Sequence, residues 1–172
     1  MKGNAACFLG AGIATHLGTG IAAQLTALQC APMPPQTVNC DISTIHEPAP
    51  YKLLADFPLT HIEQRLHTVI DNVIEQVLSA TNIPDSERKN IALFIGSSSF
   101  DISVSEHVYQ QEHKLDIHSI PFGHSPSFGN LGEAVRKRFG FYGADFSFNT
   151  ACTSSANALW YASHLIQAGK IR

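Results

Sequence analysis

Apolar residues at Ile62, Leu66, Val69, Ile70, Val73, Ile74, Val77 and Leu78 keep helical spacing and predict one long amphipathic helix. Thr60-His61-Ile62-Glu63 has the pattern of a capping box at its start, and Asn82-Ile83-Pro84 stops it. Ile91 to Ile95 is apolar without alternation, as expected of a strand covered on both faces, and runs into Gly96-Ser97-Ser98-Ser99. Asp145 to Asn149 alternates instead, with Phe146 and Phe148 on one face and Ser147 and Asn149 on the other.

Weaker patterns fill the rest. Ala6 to Leu9 reads as a short strand entering the turn Gly10-Ala11-Gly12, and a helix follows from Thr19 with Ile21, Leu25 and Leu28 on one face. The proline-rich stretch from Ala31 to Pro50 shows no periodicity and reads as a surface connection. His113 to Phe128 is loop-like, Asn130 to Phe139 predicts a helix, and a last helix is lined by Ala156, Leu159, Ala162, Leu165 and Ile166. Strands alternating with helices predict a layered α/β fold with a largely parallel sheet. Such a fold ordinarily runs on into another strand, so Lys170-Ile171-Arg172 directly after a helix reads as a chain cut short.

Composition narrows the function classes. Of 172 residues 44% are hydrophobic and 15% charged, with a formal net charge of −3, which gives no footprint for nucleic acid. Cys7, Cys30, Cys40 and Cys152 are scattered without a CxxC pair, so neither a disulfide framework nor a structural zinc site is expected. Reduced cytoplasmic thiols are the simpler expectation. The segment after Lys2 resembles a leader, but Gly10, Gly12, Gly18 and His16 break its apolar run, and no stretch has the length of a membrane span. His107, His113, His118 and His124 match no zinc spacing. Gly10-Ala11-Gly12-Ile13-Ala14-Thr15 lacks the third glycine of a dinucleotide loop, and no acidic residue precedes Asp41. Ser97 to Ser99 does not complete a nucleophile elbow. No cofactor is called for.

Cys152 lies where a strand gives way to a helix. The free N–H groups and positive dipole end of a helix start favour an anionic sulfur, and the same N–H groups can hold the oxyanion of an attacked thioester. The alternative is a buried cysteine acting as a small hydrophobe. Arg136-Lys137-Arg138 is the only dense basic cluster, either a solvated helix face or a dock for an acidic partner.

Phe139-Gly140-Phe141-Tyr142-Gly143, the strand Asp145 to Phe148, then Asn149-Thr150-Ala151-Cys152-Thr153-Ser154-Ser155 and an alanine-rich helix closing at Gly169 resemble the nucleophile region of β-ketoacyl-acyl carrier protein synthases. Less specifically, Phe8 to Gly12, Ile91 to Ser98 and Asn130 resemble that family's first strand and turn, its Gly-Ser loop and an asparagine before the nucleophile. The resemblance implies the amino-terminal half, residues 1–172, of a thiolase-like fold. It also implies Cys152 as acyl-accepting nucleophile and backbone oxyanion donor, with Arg136, Lys137 and Arg138 as the candidate contact with acyl carrier protein. A homodimer, or a heterodimer with a ketosynthase-like subunit, would form across the Asp145–Asn149 strand. The family's two histidines, its lysine and the second oxyanion N–H belong to a half not contained in this chain. The rival expectation is a non-catalytic ketosynthase-like partner or a truncated fragment that scaffolds a dimer, but such partners typically have the cysteine replaced.

Overall fold

The computed structural model of the protein describes residues 5–32, 34–42, 45–52, 54, 56–57, 62–99, 102 and 128–171. The four histidines from His107 to His124, the expected loop before Phe128, and Thr60 and His61 of the capping box lie outside them.

The elements that best follow their sequence pattern build the centre. Helix α2 (Ile62–Thr81) occupies the long amphipathic stretch and ends at Asn82, whose φ of 49° puts it in the left-handed region. A short helix α3 (Asp85–Arg88) follows Pro84, leading to strand β5 (Leu93–Gly96). Helix α4 (Phe128–Phe139) precedes strand β6 (Asp145–Phe148), and helix α5 (Ser154–Gln167) ends before Gly169, at φ 67°. β5 and β6 pair in parallel, from Leu93 opposite Asp145 to Gly96 opposite Phe148. Parallel neighbours need a long crossover, and α4 lies within it.

Helix α5 packs on this pair through an aromatic cluster. Phe94 stacks on Phe146 at 5.1 Å between ring centres, and Tyr161 meets Phe146 edge-on at 5.1 Å and Phe148 at 5.8 Å. Such edge-to-face and stacked pairs add about 0.5–1.5 kcal/mol each beyond their burial. Leu131 and Val135 of α4, together with Phe141 and Ala158, are buried, Val135 to 1% exposure. Towards the sheet, α5 presents Tyr161, and its Ala158 is buried, whereas Leu159, expected to line it, is exposed with Trp160.

The amino-terminal third departs from expectation. Ala6 to Leu9 forms no strand, and Phe8 is 85% exposed. The first ladder is instead a tight antiparallel contact between β1 (Ala14–Thr15) and β2 (Gly18–Thr19). Gly10 and Gly12 serve packing rather than a phosphate: a Cβ on Gly10 would come within 2.7 Å of Thr81, and one on Gly12 would collide with the Val73 carbonyl of α2. Helix α1 (Ile21–Gln29) forms where expected, yet Ile21, Leu25 and Leu28 face outward. Its buried side chain is Gln24, which accepts a hydrogen bond from the Thr15 hydroxyl at 2.7 Å and donates to the Gly18 carbonyl.

The Ala31–Pro50 stretch is not an irregular connection. It carries β3 (Gln36–Ile42) and most of β4 (Ile45–Tyr51), an antiparallel ribbon in which Pro48 and Pro50 oppose Asn39 and Thr37. Prolines two residues apart put both imide nitrogens on the same edge, so the ladder survives if that edge faces away from β3. Prolines argue against a central strand; in a two-stranded ribbon that argument lapses.

Helices α2 and α4 are tied by charge. Arg138 on α4 reaches Asp71 at 2.6 Å and Glu75 at 3.6 Å, both on α2. Burial pushes the Asp71 carboxyl above its ordinary range; the nearby charges of Arg138 and His67 pull it down, and Glu75 adds to the rise.

Two measurements test this packing. At Gly96, a Cβ would lie 2.5 Å from the Ser154 carbonyl oxygen and 2.6 Å from the Ser155 Cα, both main-chain atoms. Gly96→Ala therefore costs about 1–3 kcal/mol in urea unfolding, as overpacking does when the neighbour cannot rotate away. An unchanged midpoint would show that the two segments are not held in contact. For Asp71, a raised folded pKa means stability present at low pH and lost as the pH rises through that pKa. The wild type should lose stability relative to Asp71→Asn from below about pH 3.9 towards neutrality, and parallel profiles would contradict it.

Candidate active site

The parallel pairing sends the carboxyl ends of β5 and β6 to the same edge, and Cys152 with the hydroxyl residues of its motif follows there. After β5, Ser97 N–H donates to the Phe148 carbonyl at 3.1 Å, and Ser99 N–H to the Ser97 hydroxyl at 3.3 Å. After β6 the chain makes a single 3₁₀ turn, Ala151–Thr153, and then enters α5. Cys152 is the middle residue of that turn and is exposed. The small-buried-hydrophobe reading does not describe it. Cys7 and Cys30 are exposed as well, so accessibility alone does not single out Cys152.

What distinguishes Cys152 is the turn that presents it. Ala151 has φ 52°, a left-handed conformation that disfavours any residue with a Cβ. Around it the hydroxyl residues are joined. The Thr153 hydroxyl donates to the Thr150 carbonyl at 2.8 Å and lies 3.1 Å from the Thr150 hydroxyl, to which the Asn157 amide donates at 2.7 Å. The Ser154 hydroxyl donates to the Ala151 carbonyl at 2.7 Å and accepts from the Thr150 N–H at 2.9 Å. Ser155 donates to the Gly96 carbonyl at 3.3 Å, which ties the head of α5 to the end of β5. Asn157 is not part of the sequence motif, and Thr150 and Gly96 stand in the motif and the Gly-Ser loop without a role of their own. The spacings Thr150–Ser154 and Thr153–Asn157, each of four residues, were the available signal.

The basic cluster lies elsewhere. Arg136 sits 3.8 Å from Asp145, the first residue of β6, whereas Cys152 follows the strand's last residue, and Arg136 also donates to the Phe141 carbonyl at 3.1 Å. Lys137 pairs with Glu133 at 2.6 Å on the same helix and remains 74% exposed. Glu133 is held below the usual carboxylate range by its hydrogen bond to Lys137 and by that residue's charge. Arg138 makes the bond to Asp71 and Glu75 described above. Among the described residues no group of three His, Cys, Asp or Glu side chains could hold a metal, and no helix is long and apolar enough to cross a membrane.

No curated protein matches this chain. A family match does cover the stretch that carries α2, the parallel pair, the cysteine turn and α5: residues 63–172 fit the family described as Beta-ketoacyl synthase, N-terminal domain. With more than half its length so matched, including every residue of the cysteine site, this chain belongs to the β-ketoacyl synthase family.

Proposed function

We propose that the intact protein is a β-ketoacyl-acyl carrier protein synthase whose acyl group is carried on Cys152. The single observation that carries this reading is an exposed cysteine on a left-handed turn at the head of α5, inside the matched residues. The reaction has two stages in a ping-pong order. The Cys152 sulfur attacks the thioester carbonyl of an acyl carrier protein, and the carrier thiol departs. Malonyl carrier protein then loses carbon dioxide, and its carbanion attacks the acyl-cysteine carbonyl, freeing the sulfur. The backbone N–H of Cys152 serves as one oxyanion donor; the histidines, the lysine and a second N–H come from a carboxy-terminal half of a thiolase-like fold. Residues 1–172 alone are accordingly inactive in condensation. The product would enter fatty acid, polyketide or polyene assembly in the cytoplasm. Of the basic cluster, Lys137 is the most accessible to an acidic carrier, since its exposed pair with Glu133 holds it only weakly.

Assembly as a dimer is part of the proposal. Among the described residues β6 pairs with β5 alone. The Ala144 and Phe148 carbonyls accept hydrogen bonds from Leu93 and Ser97, so by strand alternation the Ser147 N–H faces the opposite edge. An open edge of this kind invites a partner strand. The counterpart segment of a second subunit, identical or homologous, would pair there in antiparallel fashion.

Two experiments follow. A cerulenin-type electrophile should label Cys152 of the full-length protein ahead of Cys7, Cys30 and Cys40, read by peptide mapping; label mainly on another cysteine removes the nucleophile assignment. Ser147→Pro deletes a donor on the open edge while leaving the β5 ladder intact, so it should weaken the dimer in light scattering. A wild type that is monomeric at micromolar concentration would refute the assembly.

A further inference from the structure

We infer that Ser154 is a positioning residue for acyl transfer: its hydroxyl holds the Ala151 carbonyl and thereby aims the Cys152 N–H at the developing oxyanion. The inference rests on the acyl-transfer reading above and gives it a residue that the motif alone did not assign. Two peptide planes flank Ala151, and each is held by a hydroxyl. The Thr150 carbonyl accepts from the Thr153 hydroxyl at 2.8 Å and from the Thr153 N–H at 3.3 Å. The Ala151 carbonyl accepts from both the hydroxyl, at 2.7 Å, and the N–H of Ser154. With both planes set, the left-handed φ of 52° at Ala151 is maintained although it is unfavourable for a residue with a Cβ.

The second plane is the one that matters for chemistry. The Ala151 carbonyl and the Cys152 N–H belong to one planar trans peptide and point in opposite directions. Fixing the oxygen therefore fixes the N–H. Ser154 is 2% exposed and its hydroxyl is already engaged on both sides, donating to Ala151 and accepting from Thr150, which leaves it no proton to exchange with a substrate. It acts through the turn.

Two reactions at Cys152 separate aim from mere access. Acylation by a thioester makes a new bond from the Cys152 sulfur to the carbonyl carbon, passes through an oxyanion, and expels the original thiolate, which takes up the proton that Cys152 lost. Alkylation by iodoacetamide displaces iodide at a saturated carbon and forms no oxyanion. In the full-length protein, Ser154→Ala should slow acylation of Cys152 by S-hexanoyl-N-acetylcysteamine about tenfold or more while its alkylation stays within about twofold. Alkylation of Cys7 and Cys30 in the same sample should not change. Should the alanine variant fail to fold, Ser154→Cys fills nearly the same volume with a poor hydrogen-bonding group and should show the same split, with peptide mapping to separate the two thiols. Acylation and alkylation that fall in step, or neither falling, would overturn the role of Ser154 alone. A wild type whose Cys152 alkylates but takes up no acyl group would instead overturn acyl transfer itself, and the positioning role with it.

Discussion

The contact between Gly96 and the head of α5 governs the arrangement of the site. Main chain meets main chain there, with no room for a Cβ, and the end of β5 is consequently held against the first turn of the helix. Because β5 and β6 run in parallel and in register, the same contact brings the end of β6 to that place. The cysteine turn has little slack: it must join β6 to a helix whose start is already placed. The left-handed φ at Ala151 is the local form of that constraint. Strain of this sort persists only when the surroundings over-determine it.

The hydroxyl residues of the turn are what over-determine it. In the sequence Thr153, Ser154 and Ser155 read alike, as small polar residues suited to a helix start. In three dimensions they divide the work. Thr153 holds the carbonyl before Ala151, Ser154 the one after it, and Ser155 reaches across to β5. None of them caps the helix with its side chain in the ordinary way. A backbone amide that is already aimed before substrate arrives needs no reorganisation when charge develops, and this is how preorganised donors lower a barrier.

The same fold leaves much apolar surface outside. Ile21, Leu25 and Leu28 of α1 and Leu159 and Trp160 of α5 face outward, while the polar Gln24 is buried where it closes the contact between β1 and β2. Periodicity identifies a helix and its apolar stripe, but it cannot say whether that stripe is covered. The charges show the same limit. Arg136, Lys137 and Arg138 are one run in the sequence, yet each turns to a different carboxylate, on β6, on α4 itself and on α2.

The order of residues alone specifies the helices α2, α4 and α5, the strands β5 and β6, and the cysteine at the head of α5, because each rests on a local signal: apolar spacing, helix stops, or a motif whose residues are contiguous. It did not determine the ribbon of β3 and β4, where two prolines concealed a pairing that depends on a partner strand, nor the fate of Ala6–Leu9, which has no partner strand among the described residues. That Tyr161 and not Leu159 meets the sheet, and that Gly96 and Ser154, 58 positions apart, share one contact, emerges from the packing of distant segments. Those facts depend on which distant segments approach one another, and a periodicity of two or 3.6 residues carries information only about the faces of its own element.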